Sequence, residues 1–258
     1  MAQPKISIIT IAYNSAKTIA GTIESVVSQG YANREYIIID GGSKDETMDI
    51  VRSYGNAIST VVSERDNGIS DAFNKGIRRA TGDLIVLINS DDRLLPDALQ
   101  RVADSWDGES DIWSGNYIAQ NNKGKQFRIT PSLKFTVPPY FQRPVHQGRF
   151  ITRRLYDRIG LYDEQLRYPM DLDFLIRASA AGAKFQYVDT DVALFTLGGA
   201  TADSIFKKKR DYIYLVKKNG GSTLEAYGFY AFLVVSQTIK QLASFFCTDI
   251  LRTLRYRK

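Results

Sequence analysis

The chain has 258 residues, 44% hydrophobic and 24% charged, enough for one large α/β domain or two small ones with a core that needs no staples, and unlike a collagen, a disordered polyampholyte or a mainly membrane-embedded protein. One cysteine, Cys247, and one histidine, His146, exclude a disulfide framework, a cysteine-rich zinc site and a multi-histidine metal site. The net charge of +6 is uneven: residues 207–258 hold 11 of the 34 Lys and Arg but 3 of the 28 Asp and Glu, which leaves 23 against 25 for residues 1–206.

Met1-Ala2-Gln3-Pro4-Lys5 runs straight into a strand-like segment, so no signal peptide is expected and a reducing, cytoplasmic setting is the default. Ile6–Tyr13 is β-branched and nearly all apolar, as a strand buried on both faces should be. Asn14 or Ser15 caps a helix to about Gln29, with Ile19, Ile23 and Val26 on one face. Tyr36–Asp40 is a second buried strand, followed by the turn Gly41-Gly42-Ser43 and a helix over Lys44–Tyr54. Ser59–Ser63 is a third strand, Ser70–Ala80 a helix that stops near Gly82, and Leu84–Asn89 a fourth strand. Pro96 suits the first turn of a helix to about Trp106. This alternation predicts a parallel sheet with helices on both faces.

The second half reads differently. Asp111–Gln120 and Gln126–Thr130 pair across a hairpin turn at Asn121–Lys125. The stretch 131–144 is rich in proline and reads as an irregular loop. Thr152–Gly160 and Asp171–Ala181 are helices; Lys184–Val188 and Val192–Leu197 are strands. The simplest partition is one domain over 1–202 and basic, apolar helices over 203–258.

Open parallel sheets bind ligands beyond the carboxyl ends of their strands. Those positions hold Ala12, Tyr13 and Asn14; then Asp40-Gly41-Gly42-Ser43; then Glu64–Gly68; then Asn89-Ser90-Asp91-Asp92. Helix capping explains some of these acids. It does not explain Asp91 and Asp92 directly after a buried strand, and paired carboxylates there suit Mg²⁺ or Mn²⁺ holding a diphosphate.

The runs Ile8–Asn14, Asp40–Thr47 and Asn89–Asp92 resemble the family 2 glycosyltransferases of GT-A fold. Ser63–Gly76 (SERDNGISDAFNKG) is similar to a bacterial O-antigen and colanic-acid subgroup of that family. His146-Gln147, Gly160–Glu164, Met170–Asp173 and Gly198-Gly199-Ala200-Thr201 follow in that subgroup's order, so the resemblance covers roughly residues 4–202. It implies a Rossmann-like sandwich with a mostly parallel sheet, and an inverting, metal-dependent transfer from a nucleotide-diphosphate sugar, UDP by family habit. The acceptor it implies is a lipid-linked or oligosaccharide hydroxyl in bacterial surface polysaccharide assembly.

The resemblance also implies roles. Asp91 stands where the family's acid contacts Mn²⁺ or Mg²⁺, while Asn89 replaces the first acid of the motif. Ala12, Tyr13, Asn14 and Asp40 wall the nucleoside pocket, and Asp66 and Gly68 lie near the uracil or the diphosphate. Asp71 and Lys75 are either a surface ion pair or, for Lys75, a cation for the diphosphate, since Phe73 stands where many members carry Arg. Ser90, Asp92 and His146 complete the donor site; the other reading of His146 is a structural hydrogen-bonder. Asp171 aligns with the base that takes the acceptor proton, although Met170 replaces a Glu, and Asp173 is the fallback. Helix capping alone is the other reading of Asp171.

In the tail, Lys207–Arg210 opens a basic helix to about Lys218, and Tyr227–Phe246 is apolar and aromatic but interrupted by Ser236, Gln237, Lys240 and Gln241. Such a helix flanked by basic clusters is either an interfacial helix on anionic lipid, peripheral to the cell membrane, or a packing helix on the domain or on a second copy. Nucleic acid is disfavoured because no recognition fold accompanies the charge. A catalytically degenerate scaffold is the competing function, kept open by Asn89 and Met170.

Overall fold

The burial of strand β1 (Ile6–Ala12) alternates between two cores. Ile6 and Ile8 face one and Ile9 the other, as a period of two requires when both faces are covered. The computed structural model describes residues 3–121, 123–131, 146–198 and 204–246, the last of these as backbone alone from 240. The expectations for 132–144, for Gly199-Ala200-Thr201 and for the basic run after 246 lie outside these residues.

β1 pairs in parallel with β2 (Arg34–Asp40) and β4 (Leu84–Asn89), placing Ile9 between Ile37 and Leu87; β2 pairs in parallel with β3 (Thr60–Ser63). The sheet runs β3-β2-β1-β4-β8-β6-β9-β5, with β7 (Gln126–Ile129) beside β6 (Ile112–Gln120). β8 (Arg149–Thr152) is antiparallel to both its neighbours, β5 (Arg93–Leu94) is antiparallel to β9 (Phe185–Thr196), and β6 and β9 run parallel. The expected α/β sandwich stands, and its sheet is mixed: six strands run one way, while β8 at its centre and β5 and β7 at its margin run the other.

Helices α1 (Ile19–Val27), α2 (Thr47–Ser53) and α4 (Ala98–Ser105) cover one face. α3 (Ile69–Arg79), α5 (Arg153–Ile159) and α6 (Met170–Ala180) cover the other. Leu215 and Val216 of α7 (Lys209–Lys218) and Ala226 and Phe229 of α8 (Thr223–Phe246) belong to that second core.

Several boundaries move for local reasons. α1 starts at Ile19, not after Asn14, because the carbonyl of Ser15 first closes a turn on the N–H groups of Thr18 and Ile19. α4 starts at Ala98, since Asp97 takes a left-handed φ of 55° ahead of it. β8 has no counterpart in the sequence reading: it is four residues that run directly into α5, whose N-cap, Thr152, is also the strand's last residue. The two strands expected over 184–197 form one, with register shifts opposite Ser114–Tyr117. α6 is capped by Pro169, so Asp171 is not its N-cap.

Candidate active site

The ends of β1, β2 and β4 are stitched together by short polar side chains. Asn14, at φ 48°, takes Ser43 Oγ on its N–H at 2.8 Å, and its own Oδ1 accepts from the Lys44 N–H at 2.9 Å. The carbonyl of Ala12 accepts from the Gly41 N–H at 2.9 Å. Ser15 Oγ meets Ser90 Oγ at 2.7 Å, joining β1 to the turn after β4. Tyr13 remains 62% exposed over this platform.

Asp40 is fully buried. Its carboxylate accepts from the N–H groups of Gly42 and Ser43, both at 3.1 Å, from the Ser43 hydroxyl, and from Ser63 Oγ on β3 at 2.6 Å. The structure thus gives Asp40 to the turn after β2. The acid that lies over that turn is Asp66: a Cβ on Gly41 would lie 2.3 Å from Asp66 Oδ2 and 3.5 Å from the Tyr13 ring. Glycine at 41 leaves that space to the Asp66 carboxylate, whose other oxygen accepts from the Gly68 N–H at 2.9 Å. Gly68 holds φ 120° at the cap of α3, a conformation closed to other residues.

Asp71 and Lys75 brace this loop. Asp71 Oδ2 accepts from the Asn67 N–H at 2.9 Å. Lys75 Nζ lies 3.1 Å from Glu64, 3.5 Å from Asp71 and 2.9 Å from the Arg65 carbonyl. Of the two readings of Lys75, the ion pair with Asp71 is present, and the ammonium is directed into the loop.

Asn89, Asp92, His146, Gln147 and Asp171 form a second, connected set. His146 Nδ1 lies 3.0 Å from Asp171 Oδ2. Its Nε2 faces the amides of Gln147 at 3.2 Å and Asn89 at 3.4 Å, and both amides donate to Asp92 Oδ2, at 3.2 and 2.9 Å. The second Asp92 oxygen accepts from the Thr196 N–H at 3.1 Å. An acid at 89 would set a carboxylate against Asp92, so the amide there is what this network requires. Phe73 stacks edge-on against His146 at 5.4 Å, which places an apolar ring where the family's Arg was expected. His146, its side chain 10% exposed, therefore has both ring nitrogens facing protein groups. Gln147, Thr196, Ser43 and Ser63 were not singled out as site residues, although His146-Gln147, the turn Asp40–Ser43 and the run Ser63–Gly76 carried three of them; nothing in the sequence signalled Thr196.

The electrostatics follow from burial among acids. Burial, then the adjacent Asp91, raises the Asp92 carboxyl to about 6. Burial also raises Asp91, against its own N–H and His146. Burial alone would lower the His146 imidazole, but Asp171, Asp92 and Asp91 together raise it. Asp171 Oδ1 is buried with no hydrogen-bond partner among the described residues. Asp173 is placed elsewhere: it is fully buried and paired with Arg177 and Lys218, each at 2.9 Å, which removes it as a fallback base. Among the described residues no cluster of three or more His, Cys, Asp or Glu is arranged to hold a metal. Asp91 alone, half-buried beside a second acid, fits a Mg²⁺ or Mn²⁺ that takes its other ligands from phosphate and water.

The arrangement has counterparts. The glycosyl transferase family 2 model matches residues 7–163. A PGL/p-HBAD biosynthesis glycosyltransferase of Mycobacterium bovis is 31% identical over 221 residues, covering 81% of this chain and 83% of that protein. Staphylococcus aureus TarS 1-349, solved in complex with UDP-GlcNAc, superposes with a TM-score of 0.67 at 20% identity over 82% of this chain, which spans 65% of the TarS chain. The mannosyltransferase PcManGT from Pyrobaculum calidifontis, solved with GDP-Man and Mn²⁺, gives 0.62 at 16% identity over 96% of this chain and 76% of its own. The fold is that of GT-A glycosyltransferases, and with the family model matched across both strand ends that carry Asp40 and Asp91, the chain belongs to glycosyl transferase family 2.

Proposed function

We propose that the protein is an inverting glycosyltransferase that moves a sugar from a nucleotide-diphosphate donor, with UDP as the nucleotide, to a hydroxyl of a lipid-linked or oligosaccharide acceptor in bacterial surface polysaccharide assembly. The observation that carries this reading is the buried His146, which joins Asp171 on α6 to the Asn89–Asp92 turn after β4. A candidate base and a candidate diphosphate-side acid thereby sit on two sides of one imidazole. The Asp171 carboxylate, its side chain 17% exposed, takes the acceptor proton as the hydroxyl oxygen forms its bond to the anomeric carbon. The bond from that carbon to the diphosphate oxygen breaks, and the diphosphate leaves with the electron pair on the opposite face. Tyr13, Gly41 and Asp66 receive the nucleoside: the ring supplies a stacking face and the carboxylate accepts from a base N–H, which in uracil is N3–H. A divalent cation held by Asp91 would neutralise the leaving diphosphate.

The test is calorimetric titration with UDP, GDP, dTDP and CMP, with and without Mn²⁺. The expected result is Mn²⁺-dependent binding of UDP that is lost in Asp91→Ala and kept in Asp171→Asn, with turnover lost in both. Folded protein that binds none of the four nucleotides would overturn the reading.

A further inference from the structure

Helix α8 has two apolar faces, and its own domain covers one of them. Ala226 and Phe229 are buried in the core that holds Leu215 and Val216, and the Tyr230 hydroxyl reaches the Ile205 carbonyl at 3.5 Å. On the opposite side Leu224, Tyr227, Val235 and Ile239 are 83%, 50%, 55% and 59% exposed. Gly228 and Ala231, between them, are exposed as well. Spacings of three and four residues put all of these on one helical face. The stripe runs about 24 Å, at 1.5 Å per residue, without a charged side chain. Water gains nothing from such a surface, and a contiguous one marks a contact.

The charge beside the stripe says what it meets. Lys209 Nζ lies 5.6 Å from the centre of the Tyr227 ring and 5.9 Å from that of Tyr230. Lys207, Lys209 and Arg210 are exposed at the start of α7. The acids of this region are occupied: Asp211 accepts from the N–H groups of Arg167 and Tyr168, and Glu225 from that of Ser222. Residues 207–258 as a whole carry 11 basic against 3 acidic side chains. A second copy of this chain would bring the same positive charge to the stripe. A nucleic acid would answer the cations and leave Leu224, Val235 and Ile239 in water. A bilayer with anionic headgroups answers both, because acyl chains receive the apolar side chains while headgroups face the ammonium groups.

We propose that the outer face of α8, from Leu224 to Ile239, docks on an anionic lipid bilayer, with Lys207, Lys209 and Arg210 at the headgroups. The docked helix is rigidly tied to the catalytic half. Lys218 holds Asp163 at 2.6 Å and Asp173 at 2.9 Å, so α7 fixes how α6 and Asp171 stand above the surface. The proposal itself does not depend on the donor or acceptor.

The full-length chain is sedimented with vesicles of phosphatidylcholine alone and of phosphatidylcholine with a quarter phosphatidylglycerol, at about 0.1 and about 0.5 M salt. Binding is expected on the mixed vesicles and is weaker at the higher salt. The pair Val235→Glu/Ile239→Glu lowers it about tenfold or more, with an unchanged melting midpoint. Lys209→Glu/Arg210→Glu lowers it on the mixed vesicles alone. Val235→Trp reports independently, with an emission shift to the blue when mixed vesicles are added. No vesicle binding, equal binding by the glutamate pair, or a wild-type dimer that the pair converts to monomer in light scattering would each overturn the proposal, the last by assigning the stripe to a second copy.

Discussion

Gly41 decides where Asp66 can lie. A methyl group there would meet Asp66 Oδ2 at 2.3 Å, and Asp66 is also held by Gly68 at 2.9 Å, so Gly41→Ala must turn the carboxylate away from the turn and the Tyr13 ring, where the nucleoside is proposed to lie. Loss of one charge-assisted hydrogen bond, about 1.5–3 kcal/mol, predicts UDP affinity roughly ten- to a hundredfold lower, read by calorimetry against an unchanged melting curve. Asp92 and His146 make a pH prediction. With the Asp92 carboxyl raised from 3.8 to about 6, the folded state keeps its proton to higher pH than the unfolded chain. Its contribution is full below about pH 4 and is lost as pH rises through 6, about 3 kcal/mol in all. His146, also raised, contributes fully below its unfolded value and loses that contribution as pH rises through the folded one. Urea midpoints should fall from pH 5 to pH 8, and Asp92→Asn should flatten the fall; a midpoint that rises over that range contradicts the assignment. The strand-end positions pointed to Asp91 and Asp92, and the resemblance to family 2 added His146 and Asp171. Neither could show that Asn89 serves Asp92 or that Lys75 serves its own loop. Those are facts about side-chain direction, which spacing does not carry.

The first turn of α6 carries acids with opposite duties. Asp171 turns to His146, whereas Asp173, two positions on, turns into the protein toward Arg177 and Lys218. Asp173 is fully buried, but Arg177 and Lys218 are partly exposed and keep the Ile159 and Leu161 carbonyls and Asp163 as partners, so Asp173→Ala should cost the charge-assisted hydrogen bonds alone, about 1.5–3 kcal/mol of stability. Asp171→Asn should leave the melting curve close to wild type and abolish turnover. Thermal unfolding and product assay of both variants separate these duties, and equal loss of stability would refute the division. The same helix shows what the sequence discloses about elements. Strands β1, β2 and β4 were legible because continuous β-branched runs buried on both faces look like nothing else. β8 was not, since four residues show no period and their reversed direction is set by β4 and β6 on either side. The start of α1 was misread because Ser15 resembles a cap while its hydroxyl is committed to Ser90.

At the scale of the molecule the tail is bound into the half that holds α5 and α6. Leu215 and Val216 are fully buried in the core shared with α3, α5 and α6. Asp211 accepts from the Arg167 N–H at 2.8 Å and the Tyr168 N–H at 3.1 Å. Lys218 closes the clamp on Asp163 and Asp173. That core extends to Ile9 of β1 and Ile37 and Ile39 of β2, but the polar anchors Asp211 and Lys218 reach only residues 163–173 and not the strand-end turns where the nucleoside and diphosphate are proposed to lie. A chain ended at Phe206 should therefore lose function unevenly. Burial of Leu215 and Val216 alone is worth about 3–6 kcal/mol, which for a chain of this size lowers the melting temperature by roughly 10 °C or more. The segment 163–168 and the start of α6 lose their anchor, so Asp171 is no longer held against His146. UDP binding at low temperature should persist within about threefold, while turnover falls by at least about a hundredfold. A chain ended at Gly221 keeps Asp211 and Lys218 and should recover part of that turnover. If UDP binding and turnover fell together in both truncations, the two halves would be one cooperative unit and the division of labour between them would be wrong.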